Sequence, residues 1–270
     1  MKFAICNEIF KNWSLLDTIQ YVAKTGYDGL EIAPFTLADH VGQIGVGDRA
    51  KIREEAATAG IAIAGIHWVL VKTEGCHLTH PDQAVREHTS RYLCDLVDFC
   101  ADVGGKVIVV GSPKQRNILP GVSLDQAWEY AKAVFADATR LAEDRGVVIA
   151  LEPLSPFETN FINTAESARE FATQMDSRAF RIILDVKAMS SEAIPIPEII
   201  AASKDAFVHF HANDKNLRGP GFGDVDFHPI GAALRAIGYL GYASVEVFDF
   251  SDSPEDIAEK SLAYLRECLS

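Results

Sequence analysis

The 270-residue chain has no apolar run close to the roughly 20 residues that a membrane-spanning helix needs. Its first residues, MKFAICNEIF, lack the longer hydrophobic segment of a secretory signal peptide. Its 5 cysteines form no CxxC pair, and their number is odd, which is atypical of a disulfide framework. These absences argue against membrane and secreted disulfide-rich proteins, and we expect a reduced, cytoplasmic protein.

Positive charge is also scarce. The chain has 25 lysines and arginines against 38 aspartates and glutamates, a formal net charge of −13, and no basic cluster. A protein of this charge repels the phosphates of nucleic acid. We therefore expect a small-molecule partner, a sugar or sugar phosphate, and neither nucleic acid nor a membrane.

The chain does contain a regular alternation of strand-length apolar runs and helix-length amphipathic stretches, with no linker or low-complexity tract. Helical patterns cover, for example, 81–103 and 123–144. Eight such alternations predict an α/β protein, a single (β/α)8 TIM barrel whose one domain spans 1–270. The predicted strands are 2–6, 28–32, 61–66, 106–110, 147–152, 181–185, 206–211 and 243–247.

Four polar residues stand at the ends of predicted strands: Glu152, Asp185, His211 and Glu246. They are separated by 185−152 = 33, 211−185 = 26 and 246−211 = 35 residues, about one strand plus one helix each time. Parallel strands would bring all four to the same mouth of the barrel, where catalytic residues of this fold lie. Three carboxylates and an imidazole would repel and lose solvation there without a neutralising cation. The pattern therefore predicts a divalent-metal site.

The type of ligand restricts the metal. One imidazole with three carboxylates is an oxygen-rich set that suits manganese, magnesium or cobalt, with zinc as an alternative. His209 and His211 are two residues apart and face the same side of their strand, so His209 is expected one layer deeper as a hydrogen-bonded core residue. Glu31 and His67 also end predicted strands and are further candidates for the barrel mouth.

Several segments resemble the xylose isomerase-like sugar isomerases and epimerases, especially the ketose 3-epimerase branch. The resemblance covers essentially the whole chain and implies the four metal ligands already named, with Glu158 and Arg218 in positions that hold substrate. The ketose 3-epimerases carry a histidine three residues after the metal-binding aspartate, where this chain has Ala188. The resembling segments are LEPLSPFETNFINTAESA (151–168), ILDVKAMSSE (183–192), HFHANDKNLRGPGFGDVDF (209–227) and GYASVEVFDF (241–250).

The resemblance implies a metal-dependent sugar or sugar-phosphate isomerase or epimerase that works through an enediolate, and family members commonly form homo-oligomers. Glu152 and Glu246 sit on strands five and eight and could approach a substrate from opposite sides. If one removes a proton beside a carbonyl and the other returns it on the opposite face, the carbon is inverted. Return of the proton to the adjacent carbon gives aldose–ketose isomerisation.

Other candidate substrate contacts follow predicted strands. Phe10, Trp68 and Phe248 could form apolar walls against a sugar, or could be ordinary packing. His67 is a further candidate for substrate contact. Arg116, in the segment GSPKQRN after strand four, could grip a phosphate or carboxylate or belong to a solvated loop.

Three alternative functions remain open at this point. A lyase similar to the inosose dehydratases would use the same proton abstraction and then expel a hydroxyl. An endonuclease IV-like repair enzyme would need more histidines, and Ser112 and Ala188 stand where two of them would be expected. A non-catalytic sugar-binding barrel would have no need for two carboxylates beside a metal.

Overall fold

The computed structural model describes residues 1–269. Its eight strands are all parallel and close into a barrel in sequence order, with β8 paired to β1. This confirms the predicted (β/α)8 fold, and each strand agrees with its predicted range to within one or two residues. The strands are β1 Lys2–Cys6, β2 Gly29–Ile32, β3 Ala62–Ile66, β4 Val107–Val110, β5 Val148–Leu151, β6 Phe180–Asp185, β7 Phe207–Ala212 and β8 Tyr242–Val245.

Helices connect successive strands around the outside of the barrel. The sixth crossover is broken into two short helices, and Pro195 caps the second of them, as the prolines in the sequence indicate. Within residues 1–269, no helix is long and apolar enough to cross a membrane. The α-helices are α1 Leu15–Thr25, α2 Val46–Ala59, α3 Gln83–Asp102, α4 Leu124–Arg145, α5 Ala165–Met175, α6 Val186–Met189, α7 Ile196–Ala202, α8 Phe227–Ala236 and α9 Pro254–Leu269.

Local sequence signals define the helix ends. Helix α4 begins with a capping box in which the Ser123 hydroxyl accepts from the Gln126 amide and the Gln126 side chain accepts from the Ser123 amide. The same helix ends at Gly146, whose φ of +65° is a left-handed conformation that glycine adopts without steric cost. These signals fix where α4 stops and hence where β5, which carries Glu152 at its end, starts.

Apolar side chains pack on both faces of the barrel wall. On β4, Val107 and Val109 belong to a small cluster with Ala150 and Ile183, whereas the alternate residues of β4 belong to the large cluster that includes the helices. Alternate residues of a strand face opposite sides of the sheet, so the small cluster fills the barrel interior. The interior beside β4, β5 and β6 is therefore apolar below the mouth.

Gly65 on β3 pairs with Val107 on β4 and permits the two strands to approach closely. A Cβ on Gly65 would lie 2.4 Å from the Val107 carbonyl oxygen, so we expect Gly65→Ala to lower the free energy of unfolding by about 1–3 kcal/mol through overpacking. Urea unfolding monitored by circular dichroism would measure this change.

The matched control is Gly47→Ala in α2, where an added Cβ would have no neighbour within 4 Å. Alanine there is expected to leave the free energy of unfolding unchanged or to raise it by up to about 1 kcal/mol, because glycine is a poor helix former. Equal effects of the two substitutions would contradict the close-approach explanation.

Candidate metal and active site

The four residues predicted as metal ligands converge at the carboxyl end of the barrel. Asp185 is the last residue of β6, His211 lies near the end of β7, and Glu152 and Glu246 directly follow β5 and β8. One potential ligand atom from each residue lies within 4.8 Å of the others. All four side chains are buried, so bulk water solvates the three carboxylates poorly. This geometry and donor set fit a divalent cation.

The orientation of His211 supports the same conclusion. Its Nε2 lies 3.2 and 3.3 Å from the two carboxylate oxygens of Glu31 and donates to them. Its Nδ1 faces Glu246 Oε2 at 3.1 Å and Glu152 Oε1 at 3.9 Å, yet has no hydrogen-bond partner of suitable geometry within residues 1–269. Metal-binding histidines commonly donate their other ring N–H to a carboxylate, which fixes the tautomer. Glu31 therefore leaves the Nδ1 lone pair of His211 facing the three carboxylates.

The electrostatics of the cluster differ from one carboxylate to another. Burial, followed by the negative charges of Glu246 and Asp185, raises the pKa of Glu152 to about 8. Burial and the charge of Glu246 raise the pKa of Asp185 to about 6. Burial also opposes the ionisation of Glu246, but the imidazoles of His211 and His67 outweigh it and hold the pKa of Glu246 below its usual range. Without a cation, the cluster therefore retains protons on some of its carboxylates near neutral pH.

Glu31 does not reach the mouth, contrary to its prediction as a further candidate there. It lies one layer deeper, fully buried, where its carboxylate contacts His209 Nε2 at 2.8 Å as well as His211. Burial opposes its charge, but the two imidazoles outweigh this and lower its pKa. The prediction of His209 as a hydrogen-bonded core residue agrees with this contact.

His67 supports Glu246 from below and lines neither of the cavities at the mouth. Its Nδ1 lies 3.2 Å from Glu246 Oε1, and its Nε2 lies 2.9 Å from Glu8 Oε2. The predicted substrate contact of His67 is therefore wrong, because the ring is fully buried between two carboxylates. Glu8 was missed by the sequence reasoning, although it lies only two residues after β1 and thus also stands near a strand end.

A cavity of about 510 Å³ is lined by the carboxylates Glu152 and Glu246, and we call it the metal cavity after the candidate metal-binding cluster. Trp68 and Phe248 line it, as predicted for apolar walls, and their rings stack at a centroid distance of 5.7 Å. Glu158 also lines the cavity and accepts a hydrogen bond from Ser155 Oγ at 3.0 Å. The cavity is therefore lined by both aromatic and charged side chains.

Lys187 is a cavity residue that the sequence reasoning did not identify. Its Nζ lies 2.6 Å from Glu158 Oε1 and 4.0 Å from the centroid of the Phe248 ring. Burial disfavours its charge, but Asp185 and Glu158 outweigh burial and raise its pKa. Its position in the segment directly after β6 and Asp185 was the available signal, because the segments that follow the strands line the mouth of this fold.

Asn213 was also missed, although it lies two residues after His211 on the same side of the chain. Its Nδ2 donates to Asp185 Oδ2 and, at 3.4 Å, to Glu246 Oε2. Its Oδ1 accepts from the backbone N–H of Lys187 at 2.8 Å. Asn213 therefore orients two carboxylates of the cluster and the turn that carries Lys187.

Arg116 is not a ligand-gripping loop residue, and that prediction is wrong. Its guanidinium is fully buried and donates to the carbonyl oxygens of Glu152, at 2.6 Å, and of Val110. Burial lowers its pKa to about 10. Arg116 thus joins the ends of β4 and β5 and holds the backbone of Glu152 in place.

Arg218 and Phe10 also lie away from the metal cavity. Arg218 Nε donates to Asp252 Oδ2 at 2.9 Å, so this guanidinium ties the loops after β7 and β8 together and does not contact the cavity above Glu152. The predicted substrate contact of Arg218 is therefore not supported. Phe10 is buried and lines a neighbouring cavity, which it shares with Trp68.

Gly111, directly after β4, leaves the space that the Glu152 carboxylate occupies. A Cβ at this position would lie 1.6 Å from Glu152 Oε2, so Gly111→Ala must displace the carboxylate from the cluster. We expect the affinity for Mn²⁺ to fall roughly 10–100-fold, as when a residue that orients a metal ligand is replaced. Calorimetric titration with Mn²⁺ measures this, with Gly47→Ala as the control, and unchanged affinity would refute the steric argument.

The raised pKa values of Glu152, about 8, and Asp185, about 6, predict a pH dependence. Between the ordinary pKa values of these carboxyls and the raised ones, the folded metal-free protein binds more protons than the unfolded chain. Its free energy of unfolding should therefore fall as the pH rises from about 5 to about 8.5. Mn²⁺ displaces the same protons, so its affinity should rise over that range.

Urea unfolding of chelator-treated protein at several pH values, with and without Mn²⁺, measures both trends. Glu152→Gln is the control, because an amide cannot titrate and the slope above about pH 6 should become shallower. A metal-free protein that becomes more stable as the pH rises would contradict the assignment.

Comparison with known proteins places this geometry in a family. Residues 19–268 match the family model for the xylose isomerase-like TIM barrel. The 3-dehydro-D-guloside 4-epimerase of Escherichia coli (strain K12) is 28% identical in an alignment 275 positions long, which covers 99% of this chain and 100% of that protein. The D-psicose 3-epimerase of Agrobacterium fabrum (strain C58) is 29% identical over 233 residues, which cover 85% of this chain and 78% of that protein.

A solved structure agrees with these matches. The apo form of 3-keto-D-glucoside 4-epimerase from E. coli superposes with a TM-score of 0.85 at 25% identity, over 99% of this chain and 100% of that chain. The named relatives are epimerases, which are isomerases, and this confirms the predicted enzyme class. Because the matched residues 19–268 span most of the chain, the protein belongs to the xylose isomerase-like TIM barrel family.

Proposed function

We propose that this protein is a divalent-metal-dependent epimerase or isomerase that transfers a proton at a carbon next to a ketone of a carbohydrate, through an enediolate. Glu152, Asp185, His211 and Glu246 would hold the metal, and Glu152 and Glu246 would move the proton. Manganese, magnesium or cobalt would suit this oxygen-rich set.

The observation that carries the proposal is the unequal environment of Glu152 and Glu246 across one buried cluster. Glu246 has an imidazole on each side, His211 Nδ1 at 3.1 Å and His67 Nδ1 at 3.2 Å, and is held ionised. Glu152 has no imidazole closer than 3.9 Å, and burial raises its pKa to about 8. Two carboxyls whose surroundings push their pKa values apart are typical of an acid and base pair.

These surroundings assign a role to each group. A bound divalent cation would act as a Lewis acid that stabilises negative charge on substrate oxygens. Glu246, kept ionised by its imidazole neighbours, would remove the proton in one direction of the reaction. Glu152, on the side of β5, would protonate the opposite face of the carbon and regain a proton from solvent, while Glu246 would lose its proton to solvent. The roles would exchange in the reverse direction.

The surroundings of the cluster restrict the substrate. Glu158 and Lys187 form an ion pair at 2.6 Å on the cavity wall and would bind hydroxyl or carbonyl oxygens, while Trp68 and Phe248 would pack against C–H groups. The full-length relative from E. coli acts on a 3-dehydro-guloside, a sugar that already carries a ketone. Ala188 replaces the histidine of the ketose 3-epimerases, which supports a keto-sugar other than a free ketohexose.

The testing experiment is proton NMR of the metal-loaded protein in deuterium oxide with ketoses, keto-glycosides, sugar phosphates and inososes. We expect metal-dependent incorporation of deuterium beside the carbonyl. Glu152→Gln and Glu246→Gln should each reduce the exchange rate by about 10²–10⁴-fold, because an amide cannot transfer the proton. Asp185→Asn and His211→Ala should mainly weaken metal binding, measured as bound metal per protein.

Glu166→Gln on the exposed face of α5 is the matched control and should exchange at the wild-type rate. The product distinguishes the reactions, since inversion gives an epimer, transfer to the neighbouring carbon gives an isomer, and loss of water would instead identify a lyase. Full activity of either glutamine variant, or no exchange with metal bound, would refute the proposal.

A further inference from the structure

A second cavity of about 620 Å³ adjoins the metal cavity at the barrel mouth. The two cavities share Trp68 and Lys72, so Trp68 forms part of the wall between them. The Trp68 ring stacks with Phe35 on one side and with Phe248 on the other, each at a centroid distance of 5.7 Å. Phe35 lines the second cavity and Phe248 lines the metal cavity, so one aromatic stack borders both.

Glu8 lines the second cavity and has an unsatisfied acceptor. The residue is only 5% exposed, and its Oε2 lies 2.9 Å from His67 Nε2. Its Oε1 is buried and has no hydrogen-bond partner among the described residues. A buried acceptor without a partner is costly, so this oxygen is suited to a donor supplied by a ligand.

Four aromatic side chains besides Trp68 line the cavity, together with polar residues such as Asn7 and Thr36. Phe10, Trp13, Phe35 and Phe250 line the cavity, and all except Phe10 are partly exposed. Aromatic faces pack against the C–H face of a sugar ring, whereas its hydroxyls need polar partners. The combination of aromatic walls with one buried acceptor fits a hydroxylated ring better than a purely apolar group.

Glu8, Lys11 and Lys72 are the charged residues that line the cavity. The ammonium groups of Lys11 and Lys72 already lie over aromatic rings, at 3.8 Å from the Phe250 centroid and 5.0 Å from the Phe35 centroid. The Glu8 carboxylate would repel a phosphate or carboxylate placed beside its Oε1. A neutral hydroxyl donor satisfies Glu8 without this repulsion.

We infer that the second cavity binds a second sugar ring, so that the substrate is a keto-glycoside of at least two rings rather than a free monosaccharide. The inference rests on the proposed function, since the reacting ring would occupy the metal cavity. The glycosidic bond would pass the edge of Trp68, and a hydroxyl of the second ring would donate to Glu8 Oε1.

Trp13→Leu and Phe250→Leu test the inference, because both residues line only the second cavity. Glu8 itself is unsuitable as a probe, because it also supports His67 and, through it, Glu246. Trp128→Leu is the matched control, a partly buried tryptophan on α4 that packs against Phe161 and Phe171 away from both cavities.

The first measurement is calorimetric titration with the methyl glycosides of cellobiose, maltose and lactose, and with methyl glucoside as the one-ring reference. These sugars have no free or latent carbonyl group, so the result does not depend on catalysis. We expect at least one disaccharide to bind about tenfold or more tightly than methyl glucoside, and each cavity variant to remove that advantage. Trp128→Leu should preserve it.

The second measurement compares the deuterium exchange of keto-disaccharides and of the corresponding methyl keto-glycosides. Trp13→Leu and Phe250→Leu should lower kcat/KM for the disaccharide about tenfold, with the value for the methyl glycoside unchanged. Equal binding of one and two rings, or equal losses on both substrates, would overturn the inference. Disaccharide binding without any deuterium exchange would refute the proposed reaction and would still support the second-ring site.

Discussion

The contact between Glu31 and His211 inside the barrel is the interaction on which the site depends. The carboxylate lies 3.2 Å from His211 Nε2 and directs the opposite ring nitrogen towards Glu246. From Glu246 the chain of contacts continues to His67 and then to Glu8. Buried carboxylates and imidazoles thus alternate along this chain of contacts, and removing one partner would leave an uncompensated buried charge, a cost of about 3–5 kcal/mol.

This polar network occupies only part of the barrel interior. Opposite it, Val107, Val109, Ala150 and Ile183 form a small apolar cluster beneath the carboxylate of Glu152. The two glutamates differ because His211 and His67 lie 3.1 and 3.2 Å from Glu246, whereas the buried Glu152 lies beside the negative charges of Glu246 and Asp185. Arg116 anchors the backbone of Glu152, and Gly111 provides the space for its side chain. The scaffold therefore sets the acidity of each carboxyl before any ligand binds.

The side chains that line the barrel mouth determine which ligands can reach the cluster. The protein carries a net charge of −13, yet Lys187 lies beside the carboxylates, paired with Glu158 and covered by Phe248. Trp68 also lines the second cavity, together with Glu8 and four further aromatic side chains. The loops after β1, β2, β3 and β8 carry these walls, separately from the strand ends that carry Glu152, Asp185, His211 and Glu246.

The sequence by itself determined the barrel and the four converging residues Glu152, Asp185, His211 and Glu246, because strand periodicity and strand-end position are local properties. It could not assign Arg116 or Arg218, whose partners, the Glu152 carbonyl and Asp252, are more than 30 residues away. It also missed Glu8 as a cavity residue. Only the closed barrel decided which polar side chains reach the mouth and which lie one layer below it. The depth of each side chain is set by the register between neighbouring strands and by contacts with residues from distant parts of the chain.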